Sequence, residues 1–287
     1  MAVGNILKCI GKEEESIPDR ILEDLGLSYK EINNDASKIA TLSKTLKAYK
    51  NSPYCELPFC HTVEAEAFGS TVEFDHKLGN RIERYAIDDI NLIEDMGNLD
   101  LSKGRIAEVL KAVDILKKDG KNIVLDITGP VTLGTAIIES NLFFRATRKD
   151  IDKANRLLKL IQNSTVYYIL EAIKNGVDVI SYADPAGTID IVGPRFFKDI
   201  TGKTIYNILK RVDGKLGDSV IHLCIKTSRS LESAGLLEVE KIKVEGKNYF
   251  EMIKNAKKER KDINFIGHWC MNSRMKKKEI ICCKLIT

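Results

Sequence analysis

The sequence predicts an α/β protein on a parallel sheet, and three observations carry that expectation. The hydrophobic period switches repeatedly between helical and strand-like. The two kinds of segment alternate as βαβα, which calls for right-handed crossovers in an open doubly wound sheet or a closed barrel. Polar clusters also recur at the ends of the strand-like runs, where such folds build their sites.

Helical spacing joins Ile32, Ala36, Ile39, Leu42, Leu46 and Tyr49, then Ile106, Val109, Leu110, Val113 and Leu116, then Ile151, Ala154, Leu157, Leu158 and Ile161. Strand-like runs cover 122–127, 177–182, 219–225, 239–244 and 263–268, with Gly120 and Gly176 ending the helices before the first two. With 287 residues the chain is long enough for one barrel domain, 1–287, opened by a helical segment over about 1–52. No repeat or low-complexity linker divides it.

Hydrophobic residues make up 44% and charged residues 30%, as in soluble globular proteins, and a net charge of +4 is too slight to imply a nucleic-acid partner. No apolar run is long enough for a membrane span, and the first residues lack a signal-peptide pattern, so a cytoplasmic location is expected. The seven cysteines, an odd number without a regular framework, fit a reducing compartment.

The chemistry-bearing pattern is His-X-Cys, which occurs twice, as His222-Leu223-Cys224 and His268-Trp269-Cys270. In a strand, residues i and i+2 share a face, so one such triplet can offer imidazole and thiolate to one zinc ion. Asp126 with Thr128-Gly129-Pro130, and Asp184-Pro185-Ala186-Gly187, end two other strand-like runs. Four strand ends are thus expected to converge on one mouth.

The segment Leu57-Pro58-Phe59-Cys60-His61-Thr62-Val63-Glu64-Ala65-Glu66-Ala67-Phe68-Gly69, the loop Ile127–Leu133, the turn Ala183-Asp184-Pro185 and the His-X-Cys followed by a distant Cys resemble the uroporphyrinogen decarboxylase superfamily, and more closely its methylcobamide:coenzyme M methyltransferase branch. The resemblance runs from about Ile32 to Asn272. It implies a (β/α)8 TIM-like barrel, here complete or with a shortened or missing first strand, because no such strand is evident between Ile17 and Ile32. It also implies zinc held by His222, Cys224 and Cys270. Cobalamin-independent methionine synthase has a related arrangement. Two features depart from the family: Arg20 is the only arginine before Arg81, which disfavours decarboxylation, and Ile225 stands where glycine is common.

The implied activity is zinc-dependent methyl transfer from a methylated corrinoid, a methylcobalamin-type co-substrate on a partner protein, to a small thiol such as coenzyme M or homocysteine. Two thiolates and one imidazole leave zinc an exchangeable fourth position where a thiol would lose its proton yet stay nucleophilic. Glu64 and Glu66 are expected to position the corrinoid, Glu64 and Asp184 to serve catalysis, and no nucleic acid or membrane to take part. Two other functions fit the same residues: a non-catalytic module that binds a corrinoid protein and carries structural zinc, and a uroporphyrinogen decarboxylase-like tetrapyrrole enzyme.

Plainer roles compete at each position. A His-X-Cys can be two core residues, Glu64 and Glu66 can decorate a helix start, and Asp184 before proline can be a turn former. His268 is expected outside the ligand set, Cys60 and His61 likewise, and Cys282 and Cys283 as late core positions. Lys276–Lys278 read as a solvated face, and Trp269 as packing in the barrel wall.

Overall fold

The computed structural model describes residues 17–272 and 278–286; Lys276 and Lys277 lie outside them. Three helices open the described chain: α1 (Asp19–Leu25), α2 (Tyr29–Asn34) and α3 (Ala36–Tyr49). The helical pattern read from Ile32 to Tyr49 is broken at Asp35, whose extended backbone lets its side chain accept the Lys38 N–H and so start α3 afresh.

Alternation then sets in. β1 (Cys55–Leu57) leads to α4 (Val63–Ala67), the ribbon β2 (Thr71–Glu73) and β3 (Arg81–Arg84), and α5 (Gly104–Lys118). β4 (Ile123–Thr128) is followed by α6 (Pro130–Ile137), α7 (Ser140–Lys149) and α8 (Ile151–Lys174). After β5 (Val179–Ala183) come α9 (Ile189–Val192), α10 (Pro194–Phe196) and α11 (Gly202–Val212). β6 (Val220–Leu223), α12 (Ile225–Ser233), β7 (Leu237–Lys243), α13 (Tyr249–Glu259), β8 (Phe265–Gly267) and β9 (Glu279–Leu285) complete the order.

The main sheet runs β1-β4-β5-β6-β8-β9-β7, and its first five strands are parallel neighbours. This is the expected TIM-like α/β architecture; among the described residues no strand lies between Ile17 and Ile32, and the first strand, β1, has only three residues. The run 239–244, expected to join the parallel set, instead pairs antiparallel with β9, which itself returns antiparallel to β8.

Register divides the sheet into two faces. Leu57, Leu125, Ile180, Ile221 and Phe265 stand opposite one another and belong to the core that holds Ile106, Val109, Tyr168, Ile169 and Ile208 of the surrounding helices. The other face carries the apolar row Val124–Val179–Val220, in one cluster with Tyr249, Phe250, Met252, Ile253 and Ala256 of α13. Beyond it, toward the strand ends, lies a polar row, Asp126–Ser181–His222, continued by Ile266 and Cys282.

α13 therefore packs on the face that bears His222. The Tyr249 ring meets the His222 ring edge-on, with centroids 5.6 Å apart, and Phe250 lies 5.2 Å from Tyr54. Lys254 bonds Asp178 at 2.6 Å. Local sequence starts this helix firmly: the Asn248 side chain accepts the Glu251 N–H, and the Glu251 carboxylate accepts the Lys247 N–H.

Candidate active site at the strand ends

Parallel pairing in register brings the carboxyl ends of β4, β5 and β6 to one level. The Gly129 N–H donates to the Ala183 carbonyl and the Cys224 N–H to the Tyr182 carbonyl, so the loops after these strands start side by side. Three of the four strand ends expected to converge, those of β4, β5 and β6, thus lie side by side.

His222 lies on β6 with 1% of its surface exposed, and neither ring nitrogen has a hydrogen-bond partner. Burial pushes its pKa down to about 4, against a smaller opposing pull from nearby backbone at Trp269 and His222 itself. The imidazole is consequently neutral at pH 7, with a lone pair available to a metal. Cys224 is the N-cap residue of α12, past the end of β6, and Ile225 opens that helix with no need for glycine's backbone freedom.

The second His-X-Cys does not continue a strand. β8 ends at Gly267, and His268 adopts the left-handed backbone (φ 64°), so the same-face argument fails there. Its N–H donates to Ser228 Oγ at 2.9 Å, and its Nε2 lies 2.9 Å from Glu232 Oε2 on α12. His268 is thereby tied to α12. Trp269 packs against the core beneath α13, and Cys270 follows it, half-buried.

Those donors suit zinc in kind, yet they are not gathered. Among the described residues no three His, Cys, Asp or Glu side chains stand close enough to hold a metal ion. The fit is thus one of chemistry at His222, whose buried nitrogens lack partners, and not of a closed ligand set.

Glu64 and Asp184 are at the same mouth, fully buried and heavily committed. The Thr128 N–H donates to Glu64 Oε1 at 2.8 Å, tying α4 to the end of β4. Burial pushes the Glu64 carboxyl up, partly offset by that bond. The hydroxyls of Tyr168 and Tyr182, both buried and without partners, lie in its field. Asp184 accepts N–H groups from Val131 and Thr132 and the Thr132 hydroxyl, capping α6 from across the loop; burial raises its pKa against those bonds. Close packing requires glycine at its two neighbours, since a Cβ on Gly129 would fall 2.3 Å from Asp184 Cβ and one on Gly187 would fall 2.4 Å from Asp184 Oδ2.

Glu66, expected to help position the corrinoid, has a protein partner of its own. It pairs at 2.6 Å with Arg105, whose side chain is 1% exposed. The same guanidinium donates to Thr62 Oγ1 at 2.8 Å and contacts Cys60 Sγ at 3.2 Å, while stacking over Phe74. Cys60 is thus accounted for by Arg105, and His61 is exposed. Cys282 and Cys283 are buried on β9, as expected of core positions, and Lys278 is exposed.

Sequence reasoning missed Arg105 and Tyr249. The signal for Arg105 was a single cation beside the apolar stripe Ile106, Val109, Leu110 and Val113. For Tyr249 it was Asn248 followed by Glu251, with Tyr249, Phe250, Met252, Ile253 and Ala256 at helical spacing.

Residues 17–279 match the uroporphyrinogen decarboxylase (URO-D) family. The chain belongs to that family. Among curated proteins it is similar to the methylcobamide:CoM methyltransferase MtbA of Methanosarcina mazei, 28% identical over 221 residues, which cover 73% of this chain and 63% of that protein. It is also similar to the methylcobamide:CoM methyltransferase MtaA of Methanosarcina barkeri, 25% identical over 231 residues, covering 79% of this chain and 67% of that one. A solved methyltransferase from Methanosarcina mazei shares the fold, with a TM-score of 0.63 and 23% identity over 71% of this chain and 60% of its own. The chain therefore spans a little under two thirds of the length of the MtbA relative. No helix among the described residues is long and apolar enough to cross a membrane.

Proposed function

We propose that this member of the uroporphyrinogen decarboxylase family is a methyltransferase that moves a methyl group from a methylated corrinoid, carried by a partner protein, to a small thiol in the cytoplasm. The likeness to proteins named methylcobamide:CoM methyltransferase supports the reaction class. The observation that carries the site is His222, a buried neutral imidazole with both nitrogens unpartnered, at a strand end that leads directly into Cys224.

His222, Cys224 and Cys270 are the residues that would hold zinc. A bound ion would supply a thiol with a depressed proton affinity. The chain's own contribution is orientation and exclusion of water at the imidazole: β6 fixes it through its register with Ser181 and Ile266, and Tyr249 of α13 packs edge-on against it. Asp184 and Glu64 hold the loops around the mouth in place. For them we propose a positioning role, because their oxygens are already engaged by backbone N–H groups.

Incubation of zinc-loaded protein with methylcobalamin and a panel of thiols, with the corrinoid spectrum and the methylated product followed together, tests the activity. Thioether formation with one thiol supports it; an unchanged corrinoid with every thiol sinks it. Zinc retained in full by both Cys224→Ser and Cys270→Ser would remove the ligand assignment, and His268→Ala is the control that should keep its zinc.

A second reading is favoured by the ungathered donors: a non-catalytic module that binds a corrinoid protein. Binding of that partner without any thioether product would select it.

A further inference from the structure

Gln162, on α8, is a buried amide that the chain leaves unpaired. Only 7% of its surface is exposed, and among the described residues its side chain has no hydrogen-bond partner. It lines a cleft of about 130 Å³ between the N-terminal half of α8 and the start of α11. A largely buried polar group without a protein partner is costly unless something else binds it, and the cleft is where a partner can reach it.

Helical spacing builds the two walls. Asn155, Lys159 and Gln162 recur at i, i+4 and i+7 along α8, and Asp199, Lys203 and Asn207 at i, i+4 and i+8 across the π-helical turn Phe197–Thr201 and α11. Thr204 Oγ1 donates to the Ile200 carbonyl at 2.8 Å, closing the wide turn on that wall. Further along, Arg211 Nη1 donates to Asn163 Oδ1 at 2.7 Å and ties the two helices together, while buried Leu158 supplies an apolar part of the lining. The cleft is thus a fixed feature of two packed helices.

Donors dominate the lining. Lys159 and Lys203, one from each wall, have no carboxylate partner among the described residues, and the amides of Asn155 and Asn207 are unpaired as well. Asp199 is the one acidic group of the cleft; its side chain is 62% exposed and lies 3.9 Å from Arg195, so solvent and that guanidinium screen it. Two ammonium groups and three carboxamides able to donate N–H, set against one screened carboxylate, suit an acceptor-rich anion. The volume is far below the roughly 300 Å³ at which pockets for drug-sized ligands begin, which limits the bound group to a few atoms. A tetrahedral oxyanion meets both conditions. We propose that the cleft between α8 and α11 binds a phosphate group, held by the Gln162 amide and by the ammonium groups of Lys159 and Lys203. The anion bridges two helices, so its binding stabilises the folded chain. The cleft shares no residue with the strand-end site, and the proposal stands independently of the reaction proposed there.

Inorganic phosphate is the probe, titrated into the full chain at constant ionic strength with chloride as the control, and read by calorimetry and by the NMR signals of the Gln162 side-chain amide. Phosphate should shift those signals saturably in wild type, which needs no variant to fold, and chloride should not. Gln162→Leu, and Lys159→Gln combined with Lys203→Gln, should each weaken binding about tenfold or more, as loss of a hydrogen bond to a charged group does. Glycerol phosphate forms a second arm: tighter binding of the monoester assigns the site to an esterified phosphate, and tighter binding of inorganic phosphate assigns it to the free ion. Absence of a saturable, phosphate-specific shift at Gln162 would overturn the proposal. So would wild-type affinity retained by both variants, because phosphate would then bind elsewhere.

Discussion

Thr132 donates both its backbone N–H and its hydroxyl to the same oxygen of Asp184, at 2.8 and 2.7 Å, while the Val131 N–H occupies the other oxygen at 3.1 Å. One carboxylate thus closes the first turn of α6 and locks the loops after β4 and β5 together. An acidic residue at the end of a barrel strand suggested catalysis; its hydrogen bonds show that it also caps α6. Asp184→Ala should lower stability by about 3 kcal/mol, because several charge-assisted bonds are lost and two buried N–H groups are left unsatisfied. Asp184→Asn, which keeps an acceptor, should cost less. Urea denaturation of the two variants checks the ranking.

Packing around that carboxylate leads to a sterner expectation for Gly129. A methyl group there would sit 2.3 Å from Asp184 Cβ, nearer than van der Waals contact allows, and it would meet backbone as well as side chain. Gly129→Ala should therefore destabilise by about 1–3 kcal/mol through overpacking. Gly97, where an added Cβ meets nothing within 4 Å, is the control that should be nearly silent in thermal unfolding.

Arg105 is the buried charge on which the Val63–Ala67 segment depends. Removing it strands Glu66 and also takes donors from Thr62 and Cys60 and the stack on Phe74. Arg105→Ala should cost about 3–5 kcal/mol. Lysine should not rescue it, since a single ammonium cannot reproduce the guanidinium fork. Glu66→Gln should cost less, because Glu66 is 29% exposed and can be partly solvated. The same variants separate a corrinoid role for Glu66 from a structural one: a structural role predicts parallel losses of stability and activity, a binding role an activity loss alone.

Periodicity made the parallel strands and their flanking helices legible, since apolar runs such as 122–127 and 177–182 are buried on both faces and leave little else to be. It also placed Asp184 and Cys224 near strand ends, while Glu64 was singled out by the family resemblance. The partners of Asp184, Glu64 and Glu66 were not legible, because Thr132, Thr128 and Arg105 reach them from 52, 64 and 39 positions away. The second His-X-Cys misled for a local reason: sequence alternation cannot show a left-handed residue at His268. The face chosen by α13 was equally hidden, because an amphipathic helix has an apolar side whichever layer it joins.

His222 and Glu64 have opposite pH signatures. Metal-free His222 is neutral in the folded protein down to about pH 4, whereas the unfolded chain protonates it near its ordinary value of 6.5. The unfolded state binds the extra proton in that window, so stability is fully present above it and falls as pH drops from about 6.5 to 4, by roughly 3 kcal/mol at about 1.4 kcal/mol per pH unit. Glu64 behaves the other way. Its buried carboxyl holds a proton more tightly than in the unfolded chain, so stability is present below the unfolded carboxyl pKa and is lost as pH rises toward the folded one. Glu64→Gln retains an oxygen for the Thr128 N–H and removes the charge, so it should gain stability relative to wild type at neutral and alkaline pH. His222→Gln should flatten the acid limb and leave the alkaline limb alone. Urea midpoints from pH 4 to 9 on the metal-free proteins read both effects, and an acid limb unchanged in His222→Gln would show that His222 is not the group that titrates there.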